Sequence, residues 1–370
     1  MRILCFNWRD ITHPMAGGAE LYLHEIARRL ATEHEVVLFC GSYKGCQPTD
    51  EIDGIRIRRC GGAFFVYVRA MLDYLLRSRK SCDIVIDSIN GVPFFTPLFS
   101  RKPKVAIIHH LARSEVFFKE LPLPLAIVGW LAERSIPLVY RRIPVVTVSP
   151  SSLQELAQFG VNGHRVHTVY NAVDHAVLGC GTKSPTPLVA YVGRIKKYKQ
   201  VEHLIRAFGA VKRAVPEAEL LIAGRGDYTD LQKEVEGSPA KSSVTLRGEV
   251  SEREKAEILK AAWVFVVPSA KEGWGISVIE ANACGTPAIA YDVPGLRDSI
   301  QHGETGLLVP SGDLDALAKS IVLVLTEAQL RGTMSANAVE WSSKFNWDKS
   351  AEDFRAVLEK VANGRVCRSV

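Results

Sequence analysis

"WVFVVPSAKEGWGISVIEANACGTP", residues Trp263 to Pro287, runs from a β-branched apolar stretch through a short glycine-bearing loop into a helical pattern that Gly285 and Pro287 bring to a stop. A buried strand feeding a helix in this way is the repeating unit of a parallel sheet. The same alternation recurs along the chain in "EVVLFCG", "DIVIDS", "KVAIIHH", "PVVTVS", "PLVAYVGR", "AELLIAG" and "SVTLRG", with helical patterns between them.

The chain has 370 residues, about twice what one hydrophobic core usually serves, so two domains are expected. Around "DHAVLGCGTKSPTP", from Asp174 to Pro187, the periodic pattern lapses into Gly, Ser, Thr and Pro, the composition of a linker. The series of strands restarts after it. In doubly wound sheets ligands sit outside the carboxyl ends of the strands, so the residues just after each strand are where chemistry is sought.

Composition excludes several classes. The chain is 47% hydrophobic and 23% charged, without low-complexity tracts, so disordered and fibrous classes drop out. Residues 1–180 hold 21 Lys and Arg against 16 Asp and Glu, which leaves 25 against 24 for the rest. That excess is too small and scattered for a nucleic-acid reader. It suits weak attraction to an anionic lipid or a phosphorylated substrate.

The eight cysteines (Cys5, Cys40, Cys46, Cys60, Cys82, Cys180, Cys284 and Cys367) form no C-x-x-C pair, and several lie in apolar runs. Buried free thiols in a reducing cytosol are expected. Nothing in "MRILCFN" resembles a signal peptide, and the longest apolar stretch, "LPLPLAIVGWLA" from Leu121, falls well short of the roughly 20 residues a membrane span needs.

Four strand ends in the second half carry suggestive residues. "YVGRIKKYKQ" places Gly193 and Arg194 after a strand and Lys199 at the start of a helix, where a guanidinium fork and an ammonium converge on one phosphate or diphosphate. The alternative is a solvated basic loop, given Lys196 and Lys197. "LLIAGRGD" offers Gly224 and Gly226, but the third glycine and downstream acid of a dinucleotide fingerprint are missing, and Asp227 reads as a helix N-cap. "TLRGEV", with Arg247, Gly248 and Val250, offers backbone groups to a base edge.

The fourth strand end is the opening stretch. On one straight helix two residues eight apart lie about 12 Å from each other. With Glu272 ahead of the helix and Glu280 in its second turn, a folded-back turn through Gly273 and Gly275 aims both carboxylates at one ligand near the helix start. Free N–H groups and the positive dipole end there suit an anion, while the carboxylates accept from hydroxyls. A nucleotide sugar has a phosphate middle and hydroxyl-bearing ends. Otherwise Glu272 lies on a surface loop and Glu280 on a solvated helix face.

"EGWGISVIEANACGTPAIA", together with "VGRIKKYK", "AGRGD" and "NAVD", resembles the retaining glycosyltransferases of family 4. The similarity extends over essentially the whole chain. It implies an α/β GT-B fold: two Rossmann-like doubly wound domains facing an interdomain cleft. Residues 1–174 would form an acceptor-binding domain and 175–187 a linker. Residues 188–346 would bind the donor, and a helix at about 347–365 would pack back on the first domain.

The resemblance further implies that Glu280 binds ribose hydroxyls, Arg194 and Lys199 the diphosphate, and Glu272 the transferred sugar. Backbone groups near Gly275, Ile276 and Ser277 would complete the phosphate site, and those from Arg247 to Val250 the base site. Gln200 stands where the family commonly has glycine. In the N-terminal domain Gly17 and Gly18 precede an amphipathic helix and would let a loop approach the donor phosphate; a plain helix-start turn is the alternative. The family's functional histidine matches His109, with His110 as the other register.

The activity so implied is transfer of a sugar from a nucleotide-diphosphate donor, UDP- or GDP-linked, to a hydroxyl on a glycan, glycolipid or lipid-linked acceptor, with retention of configuration. No cofactor and no essential metal are expected, because Asp313 and Asp315 of "SGDLDALAKS" open a helix, where acids complement the dipole. A nucleotide-sugar 2-epimerase and a non-catalytic donor-binding scaffold are the rivals: sugar interconversion without acceptor would mark the first, binding without turnover the second. The setting expected is cytoplasmic, without nucleic acid. The runs "RSRK", "RKPK" and "RR" with "LPLPLAIVGW" bear on peripheral contact with an anionic membrane, although Leu121 to Trp130 also suits a core.

Overall fold

The computed structural model describes residues 1–112, 117–118 and 121–364, and the chain divides into two compact units. One is Met1–Asn171 with the chain from Trp347 onward; the other is Ala172–Asn346.

The first unit holds β1 (Arg2–Phe6), β2 (Glu35–Cys40), β3 (Thr49–Ile52), β4 (Ile55–Arg59), β5 (Ile84–Ile89), β6 (Lys104–Ile108), β7 (Val145–Thr147) and β8 (Val166–Thr168). They form one sheet in the order β3-β4-β2-β1-β5-β6-β7-β8, parallel throughout except where β3 runs against β4. β5 and β6 are buried along their whole length, as strands covered on both faces should be.

The β3–β4 hairpin is the largest departure from the alternation read in the sequence. Its turn is Asp53–Gly54, with φ of +50° and +77°, the left-handed pair that a tight hairpin requires. The helix Trp347–Ala362 lies against the helix Gly18–Leu30, held by Arg29 Nε to Asp348 Oδ1 at 2.6 Å and Arg355 to Glu33 at 3.0 Å. The last expected residue of that helix, 365, lies outside the described residues, as does Cys367.

The second unit holds β9 (Leu188–Val192), β10 (Glu219–Ala223), β11 (Val244–Gly248), β12 (Val264–Val267), β13 (Ala288–Tyr291) and β14 (Gly306–Val309), all parallel, in the order β11-β10-β9-β12-β13-β14. Strand order reverses at β9, so the switch point lies between the carboxyl ends of β9 and β12. Residues 175–187, expected as a linker, are tied to this unit: Ser184 donates its N–H to Ala261 and accepts from Trp263 Nε1, and Lys183 Nζ donates to Thr286 Oγ1 at 2.6 Å.

The described cysteines are all free thiols, with Cys5, Cys40, Cys82 and Cys284 buried. Cys46 and Cys60 are half-buried and Cys180 is exposed, so burial is not general. No helix among the described residues is long and apolar enough to cross a membrane.

Candidate functional site

In the second unit the strand ends converge through glycine. A Cβ on Gly224, whose φ is +140°, would collide with the Gly193 carbonyl, so only glycine lets the ends of β9 and β10 pass backbone against backbone. Gly224 in turn donates its N–H to Gly248 at the end of β11 (2.7 Å). Gly193, Gly224 and Gly248 thus form one row along the carboxyl edge of the sheet.

Beyond β9 the chain leaves Arg194 exposed, and its guanidinium makes no hydrogen bond or ion pair with another described residue. Its carbonyl accepts from Tyr191 Oη at 3.0 Å, which fixes the turn. Burial drives the Tyr191 phenol well up; Glu272 pushes it further and Arg194 draws it back, so both charges lie within reach of that hydroxyl.

A 3₁₀ turn, Lys197–Lys199, then carries Lys199 across the switch point to Glu272, and the two side chains form a close, half-buried ion pair. Ala270 N–H to the Tyr198 carbonyl (2.8 Å) locks the same two loops by their backbones. Of the residues expected at the site, the fold thus pairs Lys199 with Glu272 directly.

Glu272 leads into Gly275, which has φ of +83° and starts the helix Ile276–Ala283 without any side-chain cap. That leaves the half-buried first turn, Ile276 and Ser277, with its N–H groups as the free donors of a helix start. Glu280, one turn on, is not on a solvated face: it is buried and accepts from Lys255 Nζ at 2.7 Å. Burial pushes its carboxyl up and Lys255 pulls it back. Burial also works against charge on Lys255, but Glu280 and Glu252 together outweigh it and hold the ammonium protonated. The two carboxylates therefore each have their own lysine.

Three residues of this site were not singled out by the sequence. Lys255 lies on a separate helix, Glu252–Ala261, and only folding brings it to Glu280. Gly295, φ +85°, allows the Glu272–Gly273 backbone to pass, since a Cβ there would strike the Glu272 carbonyl; its signal was the Pro294–Gly295 pair after a strand. Tyr191 gave none. Gln200 has φ of +49°, a left-handed conformation at the start of the helix Val201–Ala214. That is a position glycine fills without strain.

One local expectation is corrected. Asp227 is not a helix N-cap: it accepts from Thr229 N (2.9 Å) and Thr229 Oγ1 (2.7 Å) in a local turn, and the cap position is Tyr228. Arg247 turns outward to Glu254 at 3.2 Å, while Val250 is half-buried. Asp313 caps its helix, accepting from Ala316 N at 2.8 Å. Among the described residues no group of three or more His, Cys, Asp or Glu is placed to hold a metal ion.

In the first unit Gly17 is extended, and its N–H donates to Glu20 Oε2 at 2.8 Å. A Cβ on Gly18 would meet nothing within 4 Å, so the helix start lies open. The preceding loop is anchored by a fully buried pair, Arg59 Nε to Asp10 Oδ2 at 2.6 Å. Burial alone would raise the Asp10 carboxyl, but Arg59 and Thr12 hold it low.

His109 and His110 separate cleanly: the first is buried, the second exposed. The ring of Tyr22, on the helix that begins at Gly18, meets His109 edge-on at 5.0 Å. Burial, with some help from His110, pushes the His109 imidazole down to about 3, so it is neutral at pH 7. Its Nε2 has no partner among the described residues. Such a ring exchanges a hydrogen bond with a ligand but carries no charge to it.

Comparison with known proteins adds the following. Residues 181–341 match the model for glycosyl transferases group 1, and residues 16–177 that for glycosyltransferase family 4. A phosphatidyl-myo-inositol mannosyltransferase of Mycobacterium leprae is 33% identical over 176 residues, 47% of this chain and 46% of that protein. An N-acetyl-alpha-D-glucosaminyl L-malate synthase of Bacillus anthracis is 25% identical over 74% of this chain and 82% of its own length. For the first and several other curated relatives, the chain spans less than half of their length.

Among solved structures, sucrose-phosphate synthase from Thermosynechococcus elongatus superposes with a TM-score of 0.84 at 21% identity, over 98% of this chain and 99% of that one. Anabaena Alr3699/HepE in complex with UDP and glucose gives 0.77 at 17% identity, over 97% and 100%. At such identities the likeness is one of fold.

Proposed function

The chain belongs to the family 4 glycosyltransferases of GT-B fold, and from that premise we propose that it moves a sugar from a nucleotide-diphosphate donor to a hydroxyl acceptor with retention of anomeric configuration. The observation that carries the reading is the Lys199–Glu272 pair at the β9/β12 switch point, beside an uncapped helix start.

The roles are those the family resemblance implies, and the charges of the residues suit them. Arg194 and Lys199 take the diphosphate with the N–H groups of Ile276 and Ser277, and Lys199 leaves Glu272 to accept from the sugar hydroxyls. Glu280, paired with Lys255, accepts from the ribose, and the backbone from Arg247 to Val250 borders the base. In the reaction the bond from the anomeric carbon to the diphosphate oxygen breaks as the acceptor oxygen bonds to the same carbon from the same face. The acceptor proton passes to the departing diphosphate. Positive groups fixed where negative charge develops lower the barrier, and no metal is essential.

UDP-sugars are the first donors to try, given the UDP and glucose bound by the Anabaena neighbour, with GDP-sugars next. A phosphatidylinositol-type or other hydroxyl-bearing acceptor fits the relatives' names. The test is thermal shift and calorimetry with UDP-, GDP-, ADP- and CDP-sugars in EDTA, since a ligand bound at 100 times its Kd stabilises by about 2.7 kcal/mol. Selective stabilisation by one donor supports the proposal. No response to any donor, or a response that appears only when a divalent cation is restored, contradicts the site or its metal independence respectively.

A further inference from the structure

The first unit exposes apolar surface in a pattern that donor chemistry does not use. The helix Gly62–Asp73 continues through a π-helical turn, Tyr74–Ser78, as one rod. Val66, Ala70, Tyr74 and Ser78, spaced four apart, face the sheet. Phe64 (61% exposed), Phe65 (72%), Val68 (53%), Leu72, Leu75 and Leu76 (80%) face away from it. Arg69, Arg77, Arg79 and Lys80 are exposed among or just after them. The rod's one acid, Asp73, turns inward to Arg58 and Ser78.

A second helix repeats the arrangement. On Leu123–Arg134, Ala126, Gly129 and Glu133 are buried, whereas Leu123, Ile127, Val128 and Leu131 are exposed. Its acid, Glu133, also points inward and accepts from Ala112 N at 2.5 Å. Exposed Arg134, Arg141 and Arg142 follow. The segment between residues 92 and 99 underlies both helices: Phe94 meets Tyr67 at 4.8 Å and Phe99 meets Tyr74 at 5.4 Å, while Val92 joins the cluster of Phe117, Ala126 and Trp130. Leu98 in that segment is 71% exposed.

We infer that these two helices form a docking face for an anionic lipid bilayer. A monomer seldom exposes so many large side chains together unless the patch has an occupant. Charge decides which. Phe and Leu entering the headgroup boundary to a depth of about 5–10 Å, flanked by Arg and Lys, are what an interfacial helix presents to anionic lipid. Both carboxylates on these helices point away from that surface, so among the described residues of the two helices no acid repels anionic headgroups. A second copy of the chain fits less well, because a two-fold contact sets a patch against itself and would bring Arg77, Arg79 and Lys80 against their own counterparts. The inference stands on the first unit alone and does not depend on the donor assignment.

The test is co-sedimentation of the full chain with vesicles of phosphatidylcholine, and of phosphatidylcholine with about one third phosphatidylglycerol. Recovery with the anionic vesicles should be about tenfold higher and should fall as salt is raised. Two double variants, Phe65→Glu with Leu76→Glu and Val128→Glu with Leu131→Glu, should each lower recovery about tenfold while the melting temperature holds, since these side chains already face solvent. Arg77→Glu with Lys80→Glu should act in the same direction. Equal recovery with neutral vesicles, or unchanged recovery in the apolar variants, overturns the inference. So does a wild-type dimer in light scattering that Phe65→Glu with Leu76→Glu converts to monomer without any lipid binding; that result would assign the face to a second copy.

Discussion

The two units share a parallel doubly wound plan and differ in what they leave at the surface. In the second, charge is collected at the strand ends, where Arg194 has no ion partner among the described residues and two carboxylates are each held by a lysine. Among the described residues the large exposed apolar side chains of that unit are only Val177 and Leu323. In the first, the buried Arg59–Asp10 pair serves the loop before Gly17, and two helices turn large apolar side chains outward. One unit is shaped to hold a polar small molecule, the other to lie on something broad.

The sharpest way to break this contrast is Arg194→Ala with Lys199→Ala. Removing both cations should lower kcat/KM more than about a thousandfold, because they act where leaving-group charge develops. Steady-state rates near wild type would take the diphosphate clamp out of the second unit altogether.

Next in size is Asp10→Ala in the first unit. It takes away one of the two carboxylates that hold the buried Arg59 guanidinium, leaving Asp50 at 3.1 Å, at a cost of about 2–3 kcal/mol in a urea titration. A loss below ~1 kcal/mol would mean that the loop before Gly17 is not anchored by this pair.

His109 gives a pH signature. Its folded-state value, about 3, lies below the ordinary histidine value of about 6.5, so the unfolded chain binds the extra proton between them. Stability from this residue is therefore complete above pH ~6.5 and is lost as pH falls toward 3, amounting to about 2 kcal/mol by pH 5. Urea midpoints at pH 7.5 and pH 5 should converge by that amount in His109→Gln relative to wild type; parallel pH profiles would show that the ring is not held neutral.

The smallest expected effect is a gain. Gln200→Gly relieves a left-handed φ and removes a buried side-chain oxygen, Oε1, that has no partner among the described residues, and should stabilise by about 1 kcal/mol. Differential calorimetry should show the second unit melting about 2 °C higher. A lower melting point would mean that the glutamine makes a contribution its conformation conceals.

What the sequence displayed and what it hid divide along physical lines. β1, β2, β5, β6 and β9 were legible because largely buried parallel strands are written as mostly apolar runs. Glu272, Arg194 and Lys199 could be singled out because each follows a strand or opens a helix, and Glu280 because it lies one turn into such a helix. The β3–β4 hairpin carried its Asp53–Gly54 signal but was read past, since "TDEI" and "IRIRR" are polar edge strands. Lys255 was hidden because its meeting with Glu280 depends on how two helices pack, not on their spacing. The apolar helix faces were half legible: Leu121–Trp130 suits a membrane contact or a core by composition, and only packing shows which side of it meets the sheet.

The central claim is that Glu272 and Glu280 address different ends of one donor. Calorimetric titration of Glu272→Ala and Glu280→Ala, each with the free nucleoside diphosphate and with the intact nucleotide sugar, tests it directly. Glu280→Ala should weaken both ligands to a similar degree, at least about tenfold, while Glu272→Ala should weaken only the nucleotide sugar. Equal losses for both ligands in both variants would contradict the division of the site.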